Sequence, residues 1–454
     1  MKVRIIFLSL LTTIAFSANV NAQKANAPKA NLPIGVFDSG TGGLTVLEAM
    51  LRLDAFNNST GLPGADGKPD FSSEFFEYLA DQANMPYGNY AAEKKTDLLK
   101  EHIFKNMQFL LEANKAKQST KMIVLACNTA TAYALSDIKA KFKAENIQVP
   151  VIGVIDAGSK AALVYQAQAG AGTIGVFATA GTVASEGYPR TLQAMAKEKG
   201  LPMLSVVSQG GAGLAESIDR DWSYFVDTIT KARKEYKGPS MKNSLYSIDT
   251  TLLSAYKFDK TNNKLLCEYD DKGSCLDMQL NDPANYVRFH LVTLLEKMLQ
   301  QDIKTPMNTL ILGCTHYPYM RDTIAKVLNE LYDYKKDNKY RYRNCITKHV
   351  ELIDPSVETA KEAYLALRSN QLTNNEAVQQ NRFFITTPNT ALSETQLQPD
   401  GWFTYGYKYG RVAGEKKDYV NFVPFDHKNI SDASYERFKL VLPNAYGEIA
   451  KTLK

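Results

Sequence analysis

The chain is poor in the residues that announce metal or redox chemistry. Its 454 residues include five cysteines, five histidines and two tryptophans. His102, His290, His349 and His427 stand apart, without the spacing that holds a metal ion. Charge of neither sign is gathered into a block, and a formal net charge of +5 is too mild to argue for nucleic acid or a membrane surface as partner. No repeat of fixed period is present. Beyond the first residues, no run is long and apolar enough to span a bilayer.

The one apolar run stands at the start. Residues 1–4 are basic, residues 5–16 are mostly apolar, and Val20-Asn21-Ala22 offers small residues for cleavage. About a dozen apolar residues are too few to cross a membrane, so 1–22 read as a signal peptide, with an uncleaved anchor as the alternative. No cysteine follows the run to carry a lipid. Residues 23–31 read as a polar tether, and the protein is expected in the periplasm or secreted, with no stable membrane span after cleavage. Export implies an oxidising compartment. Five cysteines leave at least one unpaired within the chain. Cys267 and Cys275 flank a hairpin-like stretch with a turn at Lys272-Gly273, where they are either joined or remain two free thiols.

What the chain has in quantity is alternation. Short apolar or β-branched runs, each followed by glycine or small polar residues and then by helical periodicity, occur at 32–37, 121–126, 149–155, 173–178, 308–313 and 350–354. This pattern predicts an α/β fold with parallel sheets flanked by helices. The strands are too many for one small sheet, so two pseudo-symmetric lobes are expected, with the active site between them. We assign 33–149 together with 341–454 to the first lobe and 150–340 to the second. Residues 57–70, about 219–305 and about 374–427 break the rhythm and read as insertions. In open parallel sheets, ligands bind beyond the carboxyl ends of the strands. The unusual polar clusters of this chain all stand there.

Two of those clusters contain cysteine. Cys127 follows one apolar strand and opens a helix through Asn128-Thr129, where the helix start favours a thiolate. Cys314 has the same setting, followed by Thr315 and His316. Cys127 alone is better explained as a buried structural cysteine. Together, at matching strand ends, they suggest two facing thiols. Racemisation needs such a pair: a base takes the α-proton from one face, and an acid returns a proton to the other. A thiol with an ordinary pKa of about 8.5 can serve either way after modest tuning. Backbone N–H groups after Gly40, Thr129 and Thr182, with Ser39, Thr129 and Thr315, are candidate donors for the charge that develops on the substrate carboxylate. Asp38 is placed to hold the substrate ammonium or to tune a thiol, and His316 to support a thiol or bind substrate.

The motifs Ile34-Gly-Val-Phe-Asp-Ser-Gly-Thr-Gly-Gly-Leu-Thr-Val46, Asp81-Gln-Ala-Asn-Met-Pro-Tyr-Gly88, Ala126-Cys-Asn-Thr-Ala130, Pro150-Val-Ile-Gly-Val154, Thr179-Ala-Gly-Thr182 and Leu310-Ile-Leu-Gly-Cys-Thr-His-Tyr-Pro318 resemble, in order, those of the glutamate racemases of the aspartate/glutamate racemase superfamily. The resemblance covers most of 33–367 outside the insertions. It implies that Cys127 takes the α-proton of the D-isomer and Cys314 that of the L-isomer. It implies a substrate site of Asp38, Ser39, Tyr87, Gly88, Asn128, Thr129, Thr182, Thr315 and His316. It implies neither pyridoxal phosphate nor a metal, a small amino acid as substrate, and it allows a homodimer. Glu216 is a weaker match to a family glutamate near the second thiol. The export signal and the insertion before Cys314 depart from the family, which keeps aspartate or broader specificity open. An amino-acid-binding protein without turnover is the alternative from another class.

Three other signals are set aside. Ser39-Gly-Thr-Gly-Gly43 lacks the Lys-Ser/Thr of a P-loop and the acidic partner of a dinucleotide fold. The tyrosines and basic residues of 332–342 read as an exposed loop. The aromatic run 402–409 reads as a packed hairpin.

Overall fold

The structure is a computed structural model that describes residues 29–113, 119–415 and 417–453. The expected signal peptide lies outside the described residues. In chain order the strands are β1 Ile34–Asp38, β2 Phe76–Ala80, β3 Met122–Leu125, β4 Val151–Gly153, β5 Thr173–Ala178, β6 Val206–Gly210, β7 Leu265–Tyr269, β8 Cys275–Leu280, β9 Met307–Gly313, β10 Lys335–Lys336, β11 Lys339–Tyr340, β12 Ile346–Ile353, β13 Arg382–Pro388 and β14 Val420–Pro424. The α-helices are α1 Leu44–Arg52, α2 Gly88–Ala92, α3 Thr96–Leu111, α4 Asn128–Ala144, α5 Val154–Ala169, α6 Ala180–Ala184, α7 Gly187–Glu198, α8 Leu214–Ile218, α9 Leu253–Tyr256, α10 Pro283–Gln300, α11 Arg321–Tyr332, α12 Pro355–Ser369, α13 Tyr405–Gly410, α14 Asp432–Val441 and α15 Pro443–Thr452.

Two sheets carry the fold. The first has six strands in the order β14-β13-β2-β1-β3-β4, and the second has four in the order β12-β9-β5-β6. All neighbours are parallel except β13 and β14. Every residue of β1, β2, β3, β5 and β9 is buried, because helices cover both faces of each sheet. One face of the first sheet packs with α1, α12, α14 and α15, the other with α3 and α4. The second sheet packs with α10 and α11 on one face and α5 and α7 on the other.

The division between the sheets differs from the one read in the sequence. Residues 151–153, assigned to the second lobe, pair with β3 in the first sheet. Residues 346–353, assigned to the first lobe, pair with β9 in the second. Apolar runs carry no label for the sheet they join, so partner choice rests on tertiary contacts. Val154 and Ile155 leave the expected strand and open α5, where both are buried.

The third expected insertion is in large part scaffold. β13 extends the first sheet beside β2, and β14 closes its edge. Within 219–305, α10 supplies Tyr286, Val287, Leu291, Leu294, Leu295 and Met298 to the core of the second lobe. The expected aromatic hairpin is instead the helix α13, capped by the Thr404 side chain on the Tyr407 N–H. Within 332–342 the two-residue strands β10 and β11 are exposed, but Tyr342 is fully buried in the core of the second lobe, so the expected exposed loop holds only in part. β7 and β8 make the expected antiparallel hairpin. Cys267 and Cys275 are joined across it, with α-carbons 5.6 Å apart.

Candidate active site

Parallel register brings the two motif loops of each sheet side by side. In the first sheet Phe37 lies opposite Leu125, so Asp38-Ser39 and Ala126-Cys127 leave adjacent strand ends together. In the second, Ala178 lies opposite Gly313, which aligns Thr179 with Cys314. Glycine lets the two sets touch. A side chain at Gly42 would place its Cβ 2.9 Å from Thr315 Oγ1 and 3.7 Å from His316 Cε1. Gly88 and Gly181 meet backbone to backbone, and a Cβ on Gly181 would lie 3.0 Å from the Gly88 Cα. Tyr87-Gly88 is thereby held beside α6 and Thr182.

Cys127 is almost fully buried and caps α4, its sulfur accepting the Ala130 N–H at 3.4 Å. Ser39 Oγ lies 3.5 Å from the same sulfur. Burial pushes this thiol up to about 12, and the Asp38 carboxylate adds to the push against the opposing hydrogen bonds. The expectation that the helix start favours a thiolate here is therefore reversed. One N–H contact does not outweigh desolvation plus a neighbouring anion. Asp38 is itself raised by burial, against backbone N–H groups that include Gly43 at 2.8 Å and Gly40 at 3.2 Å. Two buried anions side by side are costly, so this half-site retains a proton.

The second thiol has the opposite setting. Cys314 is buried, and its sulfur lies 3.7 Å from His316 Nδ1. His316 Nε2 meets Asp219 Oδ2 at 3.0 Å. Burial works against a charged imidazole, but the bonds and charges of Asp219 and Cys314 prevail and raise His316 to about 10. Near neutral pH His316 is an imidazolium with both N–H groups engaged. Arg437 on α14 pairs with the other Asp219 oxygen. Asp219 is held below its usual range: desolvation opposes this, and His316 and Arg437 overcome it.

Other expected site residues take more specific positions. Asn128 Oδ1 accepts the hydroxyl of Tyr188 at 2.9 Å, and the Tyr188 ring covers Gly313, the residue before Cys314. One buried tyrosine thus links the two cysteine loops. Tyr87 donates its hydroxyl to Asp81 at 2.5 Å, and Asn106 bonds both. That hydroxyl is committed to holding the loop. Thr182 is buried at the start of α6, where its N–H and hydroxyl both meet Thr179 Oγ1. Thr129 is buried in the first turn of α4. Thr315 also lines a cavity of about 390 Å³ bounded by α1, α12 and the α14–α15 junction.

No protein-family model matches the chain. Curated relatives do. The glutamate racemase of Levilactobacillus brevis is 27% identical over 365 residues, 80% of this chain and 89% of its own. That of Thermus thermophilus is 29% identical over 349 residues, 77% and 84% of the two chains. That of Oceanobacillus iheyensis is 28% identical over 354 residues, 78% and 86%. These homologues are all named glutamate racemase, and each is matched over most of its own length. Among solved structures, a glutamate racemase isoform from Bacillus anthracis aligns with 80% of this chain and 91% of its own, at 24% identity and a TM-score of 0.47.

The motifs that resemble those of the glutamate racemases contain both thiols and their immediate loops. They do not reveal Asp219, Tyr188 or Arg437. Glu216, the weaker sequence match, is near enough to His316 for their charges to interact, but it is solvent-exposed. The carboxylate that reaches the imidazole is Asp219, three residues on. Asp219 opens a stretch that reads as an insertion, and Arg437 lies beyond the last motif. Neither gave a signal in the sequence. Among the described residues no cluster of His, Cys, Asp and Glu is placed to hold a metal, and no helix is long and apolar enough to cross a membrane.

Proposed function

We propose that this protein interconverts L- and D-glutamate without a cofactor, using Cys127 and Cys314 as paired acid and base. One observation carries the reading. Two buried thiols stand at matching strand ends of adjoining sheets, one in a setting that retains its proton, the other beside an imidazolium. A two-base racemisation needs that inequality.

Starting from L-glutamate, Cys314 as thiolate takes the α-proton, while His316 faces the sulfur with positive charge. The electron pair left on the α-carbon spreads into the substrate carboxylate, where backbone N–H groups and hydroxyls of the strand-end loops stabilise it. Cys127 then gives its proton to the opposite face. D-glutamate leaves, Cys314 holds the abstracted proton, and Cys127 is a thiolate. Conversion of a D-molecule, or exchange with solvent, restores the first state.

The glutamate assignment is supported by the relatives' shared name over most of their length. We further propose that the protein works outside the cytoplasm. The signal-like start and the Cys267–Cys275 bond support this, because such bonds persist in oxidising compartments. The test is incubation of purified, cofactor-free protein with L-glutamate and, separately, L-aspartate, followed by chiral chromatography. D-glutamate as the faster product is the expected result. A faster yield of D-aspartate overturns the substrate, and no D-isomer from either overturns the activity.

A further inference from the structure

We infer that Arg437 is a positioning residue for the second thiol, and that the Arg437–Asp219 ion pair latches the C-terminal helices of one lobe onto the proton-transfer chain of the other. This rests on the racemase reading and adds to it a part that the racemase-like motifs do not contain.

The pair joins two separate cores. Arg437 stands on α14 between Tyr435 and Phe438, both buried in the core of the first lobe. α14 is followed directly by α15, whose start is fixed to α1: Glu48 accepts the Ala445 N–H and the Asn444 side chain, each at 2.7 Å. Arg437 therefore projects from a firm base. Asp219 directly follows α8, whose Leu214 is buried in the core of the second lobe. The contact crosses from one lobe to the other at the catalytic imidazole.

Asp219 uses its two oxygens for two partners. Oδ1 faces Arg437 and Oδ2 faces His316. A carboxylate held by one bond alone rotates; one held on both oxygens has a fixed plane. Arg437 thereby fixes the direction of the Asp219–His316 bond, and through it the Nδ1–H that faces Cys314. The titratable groups that interact with the imidazole are Asp219, Cys314 and Glu216. Neither oxygen contact of Asp219 is deeply buried, with side-chain exposures of 30% for Arg437, 32% for Asp219 and 19% for His316.

The consequence is one-sided. Weakening the latch disturbs Cys314, which acts on the L-isomer, and leaves Cys127 untouched. The test uses Arg437→Ala and Arg437→Lys in the full chain, with glutamate deuterated at the α-carbon in each configuration. In Arg437→Ala, kcat is expected to fall about ten- to a hundredfold, the cost of a misplaced catalytic group. The isotope effect on kcat/KM is expected to rise with α-deuterated L-glutamate and to fall with the D-isomer, because transfer at Cys314 becomes the slow step. Arg437→Lys should restore part of the rate. A purely structural role would lower the rate without shifting the two isotope effects in opposite directions. Wild-type turnover with unchanged isotope effects in Arg437→Ala overturns the latch and leaves the racemase reading standing. Absence of turnover in the wild type overturns the racemase reading itself.

Discussion

His316 and Asp219, 97 residues apart in the chain, share a hydrogen bond of 3.0 Å beside the second thiol. The bond favours a protonated imidazole where the neutral form would otherwise prevail. The folded pKa of about 10 lies above the ordinary 6.5. The associated stability is therefore complete below about 6.5 and is lost as pH rises towards 10. Turnover should follow the same charge and decline through the upper part of that range. In Asp219→Asn the alkaline limb of the pH–rate profile should move down by at least about one pH unit, the usual size of a lost ion-pair contribution. An unmoved limb would show that another group controls it.

The link between the cysteine loops is equally open to test. Tyr188→Phe removes the donor to Asn128 Oδ1 and leaves a buried acceptor unmatched. The expected cost is about 1–3 kcal/mol in urea denaturation, with a higher KM as the Asn128 side chain loses its orientation. A variant with wild-type stability and KM would mean that water replaces the tyrosine hydroxyl.

Far from the thiols, Lys121 and Glu74 form an ion pair with side-chain exposures of 0% and 1%. Lys121 also donates to the Ala30 carbonyl, and Glu74 accepts the Asn374 N–H. Burial drives Lys121 down and Glu74 up, and their attraction opposes both shifts. Glu74→Gln leaves the lysine uncompensated and should destabilise the fold by about 3–5 kcal/mol. Replacing both by apolar residues of similar size should cost far less. Equal losses in the two variants would contradict this account of the pair.

The hairpin disulfide gives a count. Denatured, unreduced protein should titrate three thiols, those of Cys127, Cys314 and Cys345, and reduced protein five. Closing a loop with a sequence separation of 8 should contribute about 2–3 kcal/mol on a chain-entropy basis. Five thiols without reductant in protein purified from an oxidising compartment would contradict the bond.

The strands and the two cysteine loops were legible because their signals are local: an apolar run, a small polar cluster, then helical periodicity. What the sequence hid is long-range. The apolar runs 149–155 and 350–354 mark strands that the structure places at 151–153 and 346–353, but nothing in those runs names the sheet they join. β13 and β14 were read as part of an insertion because they follow the last motif and lack the strand–cluster–helix sequence of the others. Asp219 and Arg437 are ordinary surface-type residues until folding puts them against His316. The thiolate expected at Cys127 failed for a related reason. The helix start was visible, whereas the burial and the Asp38 neighbour that outweigh it were not.

The proposed mechanism sets two thiols to work on opposite faces of one α-carbon. Glutamate of either configuration, incubated in heavy water with wild-type, Cys127→Ala and Cys314→Ala proteins, tests it most directly by chiral separation and α-deuterium content. The wild type is expected to give α-deuterated product of inverted configuration. Each variant is expected to lose inversion at least roughly a hundredfold, the scale of a removed acid or base. Any residual exchange should be confined to the L-isomer in Cys127→Ala and to the D-isomer in Cys314→Ala. Inversion at the wild-type rate in either variant would contradict it.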